Sequence, residues 1–204
     1  MSEPKLNISL SPQGSDCLQS ERMMTMYVQN SFQVENEIVP FYKFTYKKNI
    51  QMLLNRKEYW KKRNNRLPNG KFLMEYINEV TFSQINFKND KRPIFEKAMM
   101  VFIHHFTDNR RHDLDNYVYK PIVDSVRLTK IIPDDNYKHL SFSYFGKKCN
   151  EEYIEVFIVP IQYYLDFCQQ RLKYLFVTNS NSNINLYKDV YKYNVIPKRN
   201  NNLL

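Results

Sequence analysis

Alternating apolar and polar positions indicate strands and helices in the first half of the chain. Residues 24–48 contain the runs TMYVQNSFQV and IVPFYKFTYKK, whose alternation predicts one or two β-strands. Residues 47–63 place Ile50 and Leu54 on one stripe of a predicted helix, and residues 71–84 repeat that spacing. The loop NNRLPNG separates the two helices.

The second half begins with an apolar run, IFEKAMMVFIHHF, over residues 94–106. Its β-branched and aromatic residues favour a buried strand, although Met and Ala leave a helix open. A helix should follow with Pro121 in its first turn, because proline has no N–H to donate. Residues 137–146 and 152–160 alternate around GKKCNE and predict a β-hairpin, and residues 161–177 predict an amphipathic helix.

These elements predict an α+β fold with a mixed β-sheet packed against α-helices. A chain of 204 residues with 43% hydrophobic residues suits one domain with extensions. Residues 1–22 lack periodicity and are predicted to be a flexible N-terminus, and residues 23–160 form the domain. Residues 161–204 are predicted to be a C-terminal helix and a low-complexity tail.

Composition excludes several classes of protein. No stretch approaches the roughly 20 apolar residues of a membrane-spanning helix, and the N-terminal sequence lacks the features of a secretory signal. The 3 cysteines are scattered without a CxxC pair, which excludes a zinc ribbon or a disulfide scaffold and predicts a cytoplasmic location. With 3 glycines, the common glycine-rich nucleotide loops are absent.

The net charge indicates a polyanionic partner. Lys and Arg number 30 against 21 Asp and Glu, which gives +9 at pH 7. A basic surface attracts polyanions, of which nucleic acid is the commonest. The alternative is a basic protein without such a partner.

The aspartates are concentrated in one part of this basic chain. Six of the ten lie within a 28-residue window: Asp108, Asp113, Asp115, Asp124, Asp134 and Asp135. Like charges held together cost free energy unless a cation or a raised pKa compensates, and a divalent ion with oxygen ligands is the natural cation. The alternative assigns these residues to helix caps and turns.

The spacing within this window favours a shared site. On an extended strand end, Asp113 and Asp115 would point to the same face, and Asp135 follows at the start of another element. Lys120 lies near a predicted helix N-terminus, where an anion is favoured. Asp124, four residues later, either forms a salt bridge with Lys120 or belongs to the metal site.

Two other kinds of metal site are not favoured. A calcium loop beginning at Asp113 would have Tyr117 at a ligand position and Val118 where glycine makes the turn. No HExxH or HxH pattern supports zinc, and the histidines in the apolar run are predicted to be structural.

The pattern of basic and acidic residues between positions 110 and 135 resembles a known family, the RusA family of Holliday junction resolvases. The residues that carry the resemblance are Arg110, Arg111, His112, Asp113, Leu114, Asp115, Asn116, Lys120, Asp124, Asp134 and Asp135. Members of this family are small phage- and prophage-associated endonucleases that cut four-way DNA junctions as homodimers, using Mg²⁺ or Mn²⁺. The resemblance covers roughly residues 94–160, with weaker support from the helices within 47–84.

The resemblance implies a RusA-like nuclease fold for residues 23–160, a bacterial or phage origin, and a role in DNA recombination and repair. It implies that Asp113, Asp115 and Asp135 are catalytic metal ligands, that Lys120 is catalytic, and that the supporting positions are Asn116, Asp124 and Asp134. Three residues separate Asn116 from Lys120, where the family has two. One extra helical residue would rotate Lys120 by about 100°, unless it precedes the first regular turn.

Basic residues are candidates for contacts with DNA, and they are Arg110, Arg111, Lys61, Lys62 and Arg63. The alternative is a solvated helix face. Tyr59 and Trp60 can stack on exposed bases, but core packing is the favoured interpretation. Two further functions stay open: a non-catalytic junction-binding protein, and a nuclease for other branched nucleic acids.

Overall fold

The computed structural model describes residues 30–88 and 92–176. It has the mixed α+β architecture that the sequence predicts. The helices and strands are β1 (Asn30–Val34), β2 (Glu37–Lys47), α1 (Lys48–Leu54), α2 (Arg56–Lys62), α3 (Leu73–Phe82), β3 (Ala98–Phe106), α4 (Lys120–Leu128), β4 (Leu140–Lys148), β5 (Tyr153–Pro160), α5 (Tyr164–Arg171) and α6 (Lys173–Phe176). Short 3₁₀ turns occupy Leu114–Asn116 and Ile161–Tyr163.

The five strands form one sheet in the order β1-β2-β5-β3-β4. β3 and β4 are parallel, whereas β5 is antiparallel to both β2 and β3. The predicted hairpin between residues 137–146 and 152–160 is therefore wrong, because β3 lies between these two strands. Alternation shows that a segment is half-buried in a sheet, but it does not show which strand is its neighbour.

β3 is buried on both faces, which explains its continuous apolar run. Met100 and Phe102 belong to a core beneath α1, α3 and α4, while Val101 and Ile103 belong to a second core that contains Phe167 of α5. The strand predicted over residues 94–106 is confirmed. The sheet is thus covered by α1–α4 on one face and by α5 and α6 on the other.

The helix predicted over residues 47–63 is two helices that follow directly after β2. Asn55 interrupts them with an extended backbone conformation (φ −54°, ψ 131°). Its side-chain oxygen accepts a hydrogen bond from the Lys57 N–H at 3.2 Å, which caps α2. The helix predicted over residues 71–84 is confirmed as α3.

α4 connects β3 to β4, with Pro121 in its first turn as predicted. Two residues of this helix, Ile122 and Val126, are fully buried. The C-terminal helix predicted over 161–177 is split at Leu172 into α5 and α6. The predicted N-terminal segment 1–22 and the tail from residue 177 lie outside the described residues. Within the described ranges, no helix has the length and apolar character needed to cross a membrane.

Candidate functional site

The loop after β3 is organised around Asp108. Its Oδ1 lies 2.6 Å from Nε2 of His112, and its Oδ2 accepts a hydrogen bond from Nε of Arg110 at 2.6 Å. These hydrogen bonds lower the pKa of Asp108 to about 2. The His112 ring stacks on Phe106 at 3.9 Å between centroids, so the loop is held against the end of β3. Arg110, a predicted DNA contact, is occupied here by an ion pair with Asp108.

Asp113 and Asp115 do not lie on an extended strand end, as the sequence interpretation assumed. Leu114–Asn116 form a 3₁₀ turn, so the two-residue spacing does not place both carboxylates on one face of a strand. Oδ1 of Asp113 is 3.1 Å from Nε of Arg111, and both side chains are exposed. Asn116 is exposed in the same turn, where its N–H donates to the Asp113 carbonyl at 3.1 Å.

The segment 117–119 joins this turn to α4 and is fixed to the first helices. The Val118 N–H donates to the Leu54 carbonyl at 2.8 Å, and Tyr117 forms a β-bridge with Asn55. Tyr117 has an extended backbone (φ −108°, ψ 142°), and α4 begins at Lys120. The three residues between Asn116 and Lys120 therefore precede the regular helix.

Lys120 lies beside two of the predicted acidic positions, Asp124 and Asp135. Its Nζ lies 2.9 Å from Oδ1 of Asp124 and 3.6 Å from Oδ2 of Asp135. The hydrogen bond to Asp124 raises the pKa of Lys120, and the charge of Asp135 adds to this effect. Nε of Arg127 lies 3.9 Å from Oδ1 of Asp135. The salt bridge proposed for Asp124 is thus present, and α4 places it beside the loop that precedes β4.

Asp134 serves as a turn residue, as the alternative interpretation held. Its Oδ1 accepts from the Asp135 N–H at 2.9 Å and its Oδ2 from the Asn136 amide at 2.7 Å. These hydrogen bonds lower the pKa of Asp134. Its two oxygens hold the backbone that presents Asp135 to Lys120.

The predicted metal ligands are not gathered at one point. Among residues 30–88 and 92–176, no group of three or more His, Cys, Asp or Glu side chains is placed to hold a metal ion. Asp113 is paired with Arg111, and Asp135 with Lys120 and Arg127. The convergence of Asp113, Asp115 and Asp135 expected from the sequence is therefore not seen, and these side chains as placed do not fit a Mg²⁺ site.

Helix α2 presents a basic and aromatic surface and buries none of its residues. Lys61 pairs with Glu58 at 2.8 Å, and Lys62 is half-buried. The guanidinium of Arg63 lies over the Trp60 ring at 4.2 Å, and Trp60 is 54% exposed. Core packing, the favoured interpretation, is wrong for Trp60 and correct for Tyr59, which packs partly against the core.

An aromatic surface that the sequence interpretation missed adjoins Lys120. Phe142 and Tyr144 on β4 are each 40% exposed, with nearly parallel rings 6.2 Å apart. The Tyr144 ring packs on Tyr119 at 4.4 Å, directly before Lys120. β4 lies at one edge of the described sheet. The available signal was the alternation in LSFSYFG, which places Phe142 and Tyr144 on the same face of β4.

His104 on β3 lies beneath Tyr117 and Tyr119 and is fully buried. Its ring is 4.3 Å from that of Tyr117, and neither of its nitrogens has a hydrogen-bond partner in the part of the chain that the structure describes. Burial, together with the nearby His105 and His112, lowers the pKa of His104 to about 3. The ring is therefore neutral at physiological pH.

Comparison with known proteins adds no relative. No family model matches the chain, and no curated protein matches it at a significant level.

Proposed function

We propose that this protein is a metal-dependent endonuclease that cuts four-way DNA junctions in recombination and repair, acting as a homodimer. The main support is the hydrogen bond of 2.8 Å between the Val118 N–H and the Leu54 carbonyl. It ties the junction of α1 and α2, where the basic helix begins, to the segment that leads into Lys120. The first turn of the basic helix α2 is thereby fixed to the segment that leads to Lys120, and this link supports the proposal that both take part in one DNA-binding surface.

The basic side chains of α2 would bind phosphates of the DNA backbone, which gives affinity without sequence preference. Trp60 and the exposed pair Phe142 and Tyr144 would stack on bases that are unpaired at the branch point. Lys120, at the N-terminus of α4, would stabilise the charge that develops on the scissile phosphate.

The requirement for Mg²⁺ or Mn²⁺ rests on the family resemblance and on the concentration of aspartates. Asp113, Asp115 and Asp135 remain the proposed ligands, yet no three acidic side chains among the described residues are placed for an ion. The present arrangement therefore supports no catalytic step through a metal. The nuclease proposal requires Asp113 and Asp135 to exchange their basic partners for a cation, so metal binding must be measured separately from cutting.

A second candidate function is junction binding without catalysis. It is favoured by the pairing of Asp113 and Asp135 with basic side chains, which satisfies their charges without a metal. The same basic surface also suits a nuclease that acts on forks or flaps.

The deciding experiment is a nicking assay on a synthetic four-way junction with Mg²⁺ or Mn²⁺, combined with a gel-shift measurement of binding. The variants are Asp115→Asn and, as a matched control, Asp166→Asn on α5 across the sheet. We expect metal-dependent cutting that is lost in Asp115→Asn, kept in Asp166→Asn, and accompanied by unchanged binding. Calorimetric titration of each protein with Mn²⁺ reports whether Asp115→Asn loses an ion.

The other outcomes identify the alternatives. Binding of the junction without cutting in either metal ion would favour the non-catalytic function. Faster cutting of a fork than of a junction or linear duplex would favour the other nuclease. Absence of both binding and cutting would refute all three. Sedimentation of the free protein tests the proposed homodimer.

A further inference from the structure

The two edges of the described sheet are protected to different degrees. β1, at one edge, has only five residues. Arg171 of α5 donates to the Ser31 carbonyl at 2.6 Å, and the neighbouring Gln170 donates to the Gln33 carbonyl at 2.8 Å. These side chains occupy two backbone acceptors of β1. A short edge strand with occupied backbone groups is a poor template for pairing with another strand.

β4, at the opposite edge, is long and carries little charge. It has nine residues, and the first seven, LSFSYFG, contain neither a charged residue nor a proline. Its register with β3 runs without a bulge from Leu140 to Lys148. The two lysines come only at the end of the strand. An edge strand of this kind is a template for a further strand, because nothing in its sequence opposes pairing.

The backbone of β4 shows which of its residues face the open edge. Directly after the strand, the Cys149 N–H donates to the Phe106 carbonyl at 2.7 Å and so points towards β3. Alternate residues of a strand direct their N–H and C=O groups to opposite sides. The backbone groups of Phe142, Tyr144 and Gly146 are therefore directed to the open edge.

A second copy of β4 fits this edge in the antiparallel direction. The strand runs from Leu140 to Lys148, so Tyr144 lies at its centre. Two copies that pair with Tyr144 on a two-fold axis overlap along the whole strand. The two lysines at the end of each copy then lie opposite uncharged residues of the other. An axis at Ser143 would instead bring Lys148 against Lys138 of the second copy, and like charges that face each other are unfavourable.

This register creates both backbone and side-chain contacts. Phe142 faces Gly146 of the second copy, Tyr144 faces Tyr144, and Gly146 faces Phe142, so the three pairs give about six backbone hydrogen bonds. Because glycine has no side chain, the Phe142 ring of the second copy can cover Gly146. The position that a Cβ at Gly146 would occupy is 3.7 Å from the side chain of Leu114, so this ring also reaches Leu114.

We propose that two copies of the protein pair through β4, antiparallel about Tyr144, and form one continuous sheet of ten strands. This inference rests on the homodimer of the proposed function and names its interface. The Tyr144 ring packs on Tyr119, which precedes Lys120, so the axis lies beside this lysine in both copies. A two-fold axis perpendicular to the sheet leaves both copies of Lys120 on the same face, where one branched DNA can reach them.

The second copy also contacts the turn that carries two of the proposed metal ligands. Leu114, which the Phe142 ring of the second copy reaches, lies between Asp113 and Asp115 in the 3₁₀ turn. The exposed rings of Phe142 and Tyr144 stand on the face of the sheet and not in its plane. Pairing therefore joins the rings of both copies into one aromatic strip across the axis.

Charges introduced on the axis test this interface by sedimentation velocity. Tyr144→Lys and Tyr144→Glu should each weaken dimerisation by at least about tenfold, because two like charges then face each other. An equimolar mixture of the two variants should restore the dimer, because the lysine of one copy faces the glutamate of the other. Ile38→Lys changes an exposed apolar side chain on β2 near the other edge, and it should leave the native dimer unchanged.

Hydrogen exchange of the native protein supplies a test without substitution. Peptides from β4 should exchange more slowly at concentrations where the dimer forms than after dilution to the monomer, whereas peptides from β1 should not change. Circular dichroism confirms that each variant is folded.

The outcomes separate this inference from the proposed function. A dimer that Tyr144→Lys leaves intact would overturn the β4 interface and keep the homodimer. Failure of the mixed variants to associate would overturn the register about Tyr144. A native protein that is monomeric would refute both the interface and the homodimer, whatever the junction assay shows. A monomer with β4 amides that are already protected would assign the edge to another part of the same chain and overturn the pairing.

Discussion

His104 should make the protein sensitive to mild acid. Its pKa is about 3 in the folded protein against 6.5 for an unperturbed histidine, because the ring is buried without a partner that stabilises its charge. Between these two values the unfolded chain binds a proton that the folded protein does not. Stability is therefore highest above pH 6.5 and is lost as the pH falls towards 3.

The magnitude follows from the size of the shift. One pKa unit corresponds to about 1.4 kcal/mol, so His104 should lower the free energy of unfolding by about 2 kcal/mol between pH 8 and pH 5. Asp108 does not interfere at pH 5. Its pKa is depressed to about 2, so its contribution is lost only as the pH falls below the unperturbed value of 3.8.

The variant His104→Phe isolates this effect, because phenylalanine suits the aromatic surroundings of Tyr117 and Phe106 and does not titrate. Urea unfolding followed by circular dichroism at pH 8 and pH 5 gives the free energies. The native protein should lose about 2 kcal/mol more than the variant over this interval. A difference below about 0.5 kcal/mol would show that His104 is not held neutral. Because Tyr117 covers His104, the same acidification should loosen the segment before Lys120.

Three further outcomes test the site and the core. Lys120→Ala should slow single-turnover cutting of the junction without weakening binding, since only a charge near the reacting phosphate is removed. Lys130→Ala is the control. Equal cutting rates for the two variants would show that Lys120 does not stabilise the reacting phosphate. Trp60→Ala should weaken junction binding by about 1–3 kcal/mol in fluorescence anisotropy, through loss of base stacking, whereas Leu165→Ala, which removes an exposed apolar side chain from the other face, should not. Phe44→Ala should lower the free energy of unfolding by about 3–5 kcal/mol in urea titrations, because this side chain is fully buried, and a loss below about 1 kcal/mol would contradict its place in a close-packed core.

The local elements were largely predictable from the sequence, because hydrophobic periodicity is a local property. The buried strand β3 and the position of Pro121 in α4 followed from residues next to them in the chain. The pairing of β4 with β3 did not, because strand order depends on contacts between segments distant in sequence. The two strands of the predicted hairpin therefore lie on either side of β3.

The candidate site shows the same limit. The sequence placed Lys120 near a helix start and suggested its salt bridge with Asp124, which are both local features. It did not show that Asp113 would pair with Arg111. The spacing of carboxylates along the sequence is the same whether they pair with a guanidinium or bind a metal ion.

The central place of β5 has a consequence during translation. β1 with β2, and β3 with α4 and β4, can each assemble as soon as they leave the ribosome, because their partners are close in sequence. β5 emerges after both groups and lies between β2 and β3. A nascent chain that ends before Tyr153 therefore holds two half-sheets with open edges, which chaperones must shield until the last strand joins them.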